Sequence, residues 1–287
     1  MNPPARRVTV LTHRRPSEVA PALSALQQLA DDGGVELRFD SEETRKHDVG
    51  TDGASLPDAP LSTEVDLCVV LGGDGTILQA LRAYADTDIP VFAVNYGEVG
   101  FLATIDPDDV AAGLARALAG DFEVLRLPTI SLQGASGRCF TGLNDVSFHR
   151  KPGLRVADLS YAIEGEEVGR VRCDGLVVAT PAGSTGYNLA NGGPVMAWGV
   201  EGYAVSFIAP HSLTARALVV APGDRLSVQN RSQGEPLDAT VDGRPTCELA
   251  PGEMLGVRFR DGASALAQIP GASFYHRLRE KFGRLAS

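Results

Sequence analysis

The sequence predicts an α/β chain in two parts: an N-terminal doubly wound α/β domain, then a β-rich, sandwich-like domain. Three observations carry this. Up to about residue 120, apolar runs of strand length alternate with segments of helical period, which implies parallel strands joined by helices. At Leu127-Pro128 the texture changes to short β-type runs separated by Gly, Pro, Asn and Asp. The apolar run Val69-Val70-Leu71, at the end of the strand Val65–Leu71, stops in Gly72-Gly73-Asp74-Gly75-Thr76 and resumes as amphipathic sequence, the pattern of a strand, a phosphate-sized turn and a helix.

In order, Arg7–Thr12 reads as a strand and the segment from Ser17 as a helix, with Val19, Leu23, Leu26 and Ala30 on one face and Asp31-Asp32-Gly33-Gly34 as its stop. Val35–Phe39 reads as a second strand. The polar stretch Asp40–Glu64 predicts a mobile loop, because it lacks apolar periodicity and holds two prolines and two glycines. Then follow strand Val65–Leu71, helix Ile77–Ala85, strand Ile89–Val94 and helix Pro107–Leu118. In an open parallel sheet this order places a site at the carboxyl ends of the strands.

The second part offers strands at Thr129–Leu132, Leu143–Phe148, Leu159–Ile163, Gly175–Ala179, Val205–Ala209, Ala217–Val220, Arg225–Val228 and Met254–Arg260. In the tail Ser273–Phe282, Phe274, Leu278 and Phe282 recur at intervals of four, which predicts a short basic helix. The expected division is an α/β domain over 1–127, a β-rich domain over 128–262 and a strap over 263–287 packing back on the N-terminal domain.

The 287 residues are 44% hydrophobic and 22% charged, an ordinary globular composition. A formal net charge of -10 opposes nonspecific attraction to nucleic acid or an anionic membrane, so any phosphate site must be local. No apolar run approaches the roughly 20 residues that cross a bilayer, and the start Met1-Asn2-Pro3-Pro4-Ala5-Arg6-Arg7 does not read as a signal peptide. The expectation is a cytoplasmic protein without nucleic-acid or membrane partners. Cys68, Cys139, Cys173 and Cys247 form no Cys-x-x-Cys pair, which argues against structural zinc.

Asp74 is the odd group in its turn. A carboxylate repels phosphate unless a metal ion or a proton-transfer task justifies it. The turn is neither a Walker A sequence nor a Gly-x-Gly-x-x-Gly fingerprint. A second glycine- and hydroxyl-rich segment, Thr180–Pro194, follows the apolar run Leu176–Ala179. Its hydroxyls and backbone N-H groups suit a phosphate or ribose, and Tyr187 offers a ring for stacking; a surface loop is the alternative. Asn144-Asp145 pairs an amide with a carboxylate, a combination able to read an amine edge and a ribose diol. Asp242-Gly243 reads equally as a hairpin turn. His211 is the most site-like of the five histidines, although a lone histidine more often serves local hydrogen bonding. No Ser-His-Asp or Cys-His nucleophile arrangement is visible.

Taken together, Gly72–Thr76, Asn95–Ala103, Asn144-Asp145, Asp174-Gly175, Thr180–Tyr187 and Gly192-Gly193-Pro194 occur in an order and spacing that resemble the NAD kinases, enzymes that use ATP or polyphosphate to phosphorylate NAD to NADP. The first motif alone is shared with diacylglycerol kinases, sphingosine kinases and some phosphofructokinases; the later segments point to NAD kinase. The resemblance implies that Asp74 is the catalytic base for the adenosine ribose 2'-hydroxyl. It implies that Gly72, Gly73, Gly75 and Thr76 face the phosphate donor. It further implies that Asn144 and Asp145 hold the adenosine part and Asp174 the nicotinamide end. Gly75, Ala182, Thr185, Gly186, Tyr187 and Asn188 would line the NAD pocket, with Arg155 and Arg172 as polar contacts. A divalent metal, Mg accompanying ATP, is implied as cofactor, with no metal ligands assigned in the chain, and the resemblance likewise implies a homodimer or homotetramer.

The chain departs from the family pattern at Asp145, where glutamate is usual, at Ala182, where threonine is usual, at Gly186, where alanine is usual, and at Asn188, where serine is usual. These departures bear on affinity and on the choice between NAD and NADH. The rival readings are a lipid kinase of the diacylglycerol kinase type and a noncatalytic NAD(P)-sensing module.

Overall fold

The computed structural model describes residues 2–51, 53–98, 100–134, 137–271 and 274–283. The chain divides into two compact units, Met1–Arg126 with Ser264–Ser287, and Leu127–Ala263.

The first unit is built in βα steps. Its elements are β1 (Arg7–Thr12), α1 (Pro16–Gly33), β2 (Glu36–Arg38), α2 (Ser41–His47), β3 (Ser55–Leu56), β4 (Leu67–Gly72), α3 (Asp74–Ala83), β5 (Pro90–Asn95) and α4 (Val110–Leu118). Every residue of β4 and β5 is buried, as parallel strands covered on both faces require. The carboxyl half of the long strand Met254–Gln268 joins beside β5, giving the parallel order Met254–Gln268, β5, β4, β1, β2, β3. After β1 the chain winds outward to β2 and β3, then returns to β4 on the other side. The switch point therefore lies between the carboxyl ends of β1 and β4, where Thr12 aligns with Leu71 and the His13 N-H donates to the Leu71 carbonyl at 2.7 Å.

The region read as a mobile loop over Asp40–Glu64 is instead partly ordered secondary structure. Asp40 caps α2, its Oδ1 accepting from the N-H groups of Glu42 at 2.9 Å and Glu43 at 2.8 Å. Acidic Glu42 and Glu43 stand in the first turn and basic Arg45, Lys46 and His47 in the last, matching the helix dipole. Buried Glu43 ties the helix to the end of β1, accepting from the Thr12 N-H at 3.0 Å and the Thr12 hydroxyl at 2.6 Å. A helix anchored by one cap and one buried acid has no apolar stripe to betray it. Asp40→Ala is expected to lower the stability of this unit by about 1 kcal/mol, read as an earlier urea midpoint; an unchanged midpoint would show the cap to be dispensable.

The second unit is two antiparallel layers. Strands β6 (Glu123–Gln133), which enters from the first unit, β7 (Cys139–Gly142), β8 (Asp145–Arg150), β9 (Ala157–Ile163), β10 (Glu166–Cys173) and β11 (Gly175–Ala179) precede the short helix α5 (Tyr187–Ala190). Strands β12 (Tyr203–Ile208), β13 (Leu218–Val220), β14 (Leu226–Asn230), β15 (Leu237–Val241), β16 (Arg244–Leu249) and β17 (Met254–Gln268) follow. One sheet runs β13-β12-β11-β8-β15-β16; the other places β10, β9, β14 and the first half of β17 side by side. Inward side chains of both, among them Phe148, Leu159, Leu176, Tyr203 and Val228, form one core.

One strand boundary needs correction. The strand expected at Met254–Arg260 runs on to Gln268, because Asp261-Gly262, a turn-like pair, lies inside a continuous strand whose end pairs with Pro90 and Val91. The tail helix α6 occupies Phe274–Phe282 as expected, and Ser273 lies outside the described residues.

Candidate functional site

In the first unit the turn after β4 stands at the carboxyl end of one of the two strands that flank the switch point. Gly73 caps α3 in an extended conformation and Asp74 opens the helix, so the first N-H groups of α3 have no intrahelical partner. A methyl group on Gly73 would come within 2.9 Å of the Gly97 Cα, so the two backbones meet where no side chain fits. At Gly75 an added methyl would touch nothing, leaving that backbone open to a ligand. The carboxylate of Asp74 is held from outside its own helix: Oδ1 accepts from the Leu102 N-H at 3.0 Å and Oδ2 from the Phe101 N-H at 3.3 Å. Each oxygen keeps lone-pair capacity for a further donor.

In the second unit, Asp145 opens β8 and Ala179 closes β11, and the two residues are register partners. The loop Thr180–Pro194 is built against this corner. The Thr180 hydroxyl donates to the Leu143 carbonyl at 2.5 Å and the Thr180 N-H to the Asn144 carbonyl at 2.9 Å. The Ser184 hydroxyl donates to the Pro181 carbonyl at 2.7 Å, and Asn188 donates to the Ser184 and Pro194 carbonyls at 3.0 Å each. Thr180, Ser184 and Asn188 are all 0% exposed. The hydroxyls and amide read as ligand donors therefore shape the loop. Thr185, half-buried, and Gly186 and Tyr187, exposed, are the surface it presents, with Ala182 buried beneath.

Tyr187 stacks on His149, with ring centroids 5.6 Å apart and planes at 22°. Sequence reasoning missed His149. Burial lowers its pKa, keeping the ring neutral near pH 7. The alternation along β8, which puts Asp145, Ser147 and His149 on one face, was the available signal. His149 pairs in register with Gly175, so Tyr187 is carried back along β11 toward Asp174. From Asp174 to Thr180, the residues flanking β11, the chain covers about 19 to 20 Å, a length suited to an extended dinucleotide. Arg150 donates to both oxygens of Asp174, at 2.5 and 3.3 Å, and this hydrogen bond holds the Asp174 carboxyl below the usual range. Arg150 too was absent from the sequence reading. Arg155 and Arg172 are exposed; the Arg155 N-H donates to Glu235 at 2.9 Å and the Arg172 carbonyl accepts from the N-H of exposed His211 at 2.7 Å. No hydrogen bond or ion pair joins either arginine to Tyr187 or Asp145 among the described residues.

Asp242 is a turn residue with a second task. Its carboxylate accepts from three successive N-H groups, those of Leu143 at 3.0 Å, Asn144 at 2.7 Å and Asp145 at 3.2 Å. Asp145 beside it is the group that burial disfavours when charged: desolvation first, then repulsion from Asp242, pushes its pKa from 3.8 up to about 7. The folded chain holds this proton where the unfolded chain does not, so the contribution of Asp145 to stability falls as pH rises from about 4 to 7, and the full cost is present above 7. Asp145→Asn, a neutral isostere, is therefore expected to gain several kcal/mol at most over wild type at pH 8 and little at pH 4, measured by urea unfolding. An equal difference at both pH values would refute the linkage.

Comparison with known proteins agrees with this layout. The family model of the ATP-NAD kinase N-terminal domain matches residues 7–122, and that of the ATP-NAD kinase C-terminal domain matches residues 143–268. An NAD kinase of Gemmatimonas aurantiaca is 34% identical over 282 residues, covering 96% of each chain. One of Symbiobacterium thermophilum is 32% identical over 276 residues, covering 95% of this chain and 96% of that one. The crystal structure of yeast NADH kinase complexed with NADH shares the fold, with a TM-score of 0.87 at 22% identity over 99% of this chain and 89% of that one. The NAD kinase from Archaeoglobus fulgidus in complex with ATP gives 0.72 at 26% identity over 96% and 97%. A match to both domain models in sequence order, together with more than 30% identity along nearly the whole length, shows that this chain belongs to the NAD kinase family.

Proposed function

We propose that this chain transfers the terminal phosphoryl group of ATP to the 2'-hydroxyl of the adenosine ribose of NAD, giving NADP. The observation that carries the reading is the carboxylate of Asp74, fixed by two backbone N-H groups at the carboxyl end of β4 in the parallel sheet, in a chain of this family.

In this reading Asp74 takes the proton of the 2'-hydroxyl as that oxygen bonds the γ-phosphorus; the bond from the γ-phosphorus to the β-γ bridging oxygen breaks and ADP leaves. Gly72, Gly73, Gly75 and Thr76 let the donor phosphates approach the start of α3. Asn144 and Asp145 hold the adenosine part, Asp174 the nicotinamide end, and Thr185, Gly186 and Tyr187 the face between. Below its pKa of about 7, Asp145 is a hydrogen-bond donor as well as an acceptor. A divalent cation, Mg in the simplest case, neutralises phosphate charge when bound. In this reading the cation arrives with the donor phosphates, whose oxygens are the ligands Mg takes. No helix among the described residues is long and apolar enough to cross a membrane, and a homodimer or homotetramer in the cytoplasm completes the reading.

A donor-by-acceptor matrix tests it: MgATP or polyphosphate, with NAD, NADH or diacylglycerol, read by NADP(H) formation and lipid phosphorylation. NADP from MgATP and NAD is the expected result. Phosphorylated lipid alone would install the lipid-kinase reading, and calorimetric NAD binding with no product from any donor would make the chain a sensor.

A further inference from the structure

The tail helix α6 enters the first unit with a buried cation. Arg277 is 8% exposed, and a guanidinium so placed must find acceptors for its donors or destabilise the fold. One terminal nitrogen donates to the Phe101 carbonyl at 3.1 Å and to that of Ala103; the other reaches the Thr104 carbonyl at 3.5 Å and Gln268 Oε1 at 2.9 Å. Three acceptors thus belong to one short stretch of backbone, 101–104. The opposite edge of that stretch supplies the Phe101 and Leu102 N-H groups that hold Asp74. Phe101 uses both of its peptide groups in this way, N-H toward Asp74 and carbonyl toward Arg277. Its ring also packs against α6, with centroids 5.7 Å from Phe274 and 6.1 Å from Phe282. The charges of Asp106, Glu280 and Asp74 all act favourably on the guanidinium, against the burial that lowers its pKa.

We propose that Arg277 is a positioning residue for the phosphoryl transfer: by anchoring the carbonyls of 101–104 it fixes the two N-H groups that aim the Asp74 carboxylate. This rests on the reading of Asp74 as the base. A planar fork reaching several carbonyls at once is a task for arginine, which a lysine ammonium performs only in part. Without the anchor, the stretch can shift by fractions of an ångström while the phosphate turn and the nucleotide-binding loop, made from other residues, stay as they are. The signature is a loss in kcat with substrate KM values retained.

Three variants test this: Arg277→Met, Arg277→Lys and Phe274→Leu, the last loosening α6 without touching the polar anchor. Each is assayed for kcat and for KM of NAD and ATP, normalised to folded protein by circular dichroism. Arg277→Met is expected to lose 10- to 100-fold in kcat with both KM values within threefold, Arg277→Lys to recover part of that loss, and Phe274→Leu to lower the thermal midpoint with kcat per folded molecule near wild type. If Arg277→Met does not fold, the comparison of Arg277→Lys with Phe274→Leu decides. Wild-type kcat per folded molecule in the arginine variants, or an equal fall in Phe274→Leu, would overturn the proposal. Asp74→Asn is run beside them: normal turnover there removes the base reading itself, whereas a dead Asp74→Asn with normal Arg277 variants removes only the role of Arg277.

Discussion

Asp74→Asn is expected to lower kcat by about 10²- to 10⁴-fold, the range a positioned general base contributes, while the Kd for NAD stays within a few-fold. The change costs about 3 to 5 kcal/mol of transition-state stabilisation and little binding, because no other group in the turn accepts a proton. Asparagine keeps the shape and one carbonyl acceptor, but presents NH2 where the second oxygen stood. Either the Phe101 or the Leu102 N-H, at 3.3 and 3.0 Å in the wild type, then faces a donor and loses its partner. A modest stability loss accompanies the loss of turnover, so activity must be referred to folded protein. Single-turnover assays with NAD bound separate the two, since an unimpaired binding step followed by slow NADP formation is the expected trace. Turnover within threefold of wild type would take Asp74 out of the reaction.

The features legible in the residues and those hidden in them divide by range of interaction. Strands β1 and β11 were legible to the residue because both are short, rich in β-branched valine and bounded by polar or turn residues. Asp74 stood out for a local reason, an acid in a glycine turn. Helix α2 was hidden since its signals are a cap at Asp40 and charges sorted by the dipole, with no apolar period. Thr180, Ser184 and Asn188 looked like ligand donors because a sequence displays polar atoms without showing their partners; here they close the loop on backbone carbonyls. His149, Arg150 and Arg277 escaped for the opposite reason. Each acts on a residue 24 or more positions away, Tyr187, Asp174 and the 101–104 backbone, by contacts that only folding creates. Asp242 shows both sides at once: the Asp-Gly pair is a turn, as its identity suggests, with Asp242 at a φ of 46°, and its carboxylate organises residues 143–145 nearly 100 positions upstream.

Gly183→Ala follows from the same loop and is expected to be the most damaging substitution on the nucleotide side. A β-carbon on Gly183 would lie 2.0 Å from the Asn144 carbonyl oxygen and 2.4 Å from its carbon. Both are backbone atoms of the segment that Asp242 pins from the other side, so the neighbour cannot yield by a side-chain rotation. The loop must lift instead, breaking the Thr180 N-H bond to Asn144 at 2.9 Å or the Gly183 N-H bond to the Thr180 hydroxyl at 3.1 Å. Overpacking of this kind costs about 1–3 kcal/mol. A displacement near 1 Å of Thr185, Gly186 and Tyr187 relative to Asn144 and Asp145 is worth about 10²-fold in catalytic efficiency, and in this reading it appears mainly in the KM and Kd for NAD, leaving the KM for ATP close to wild type. Gly199→Ala, where an added methyl meets nothing, is the control and is expected to behave as wild type. Full NAD affinity in Gly183→Ala would mean that the Thr180–Tyr187 loop does not form the dinucleotide face, and the assignment of Thr185, Gly186 and Tyr187 would fall with it.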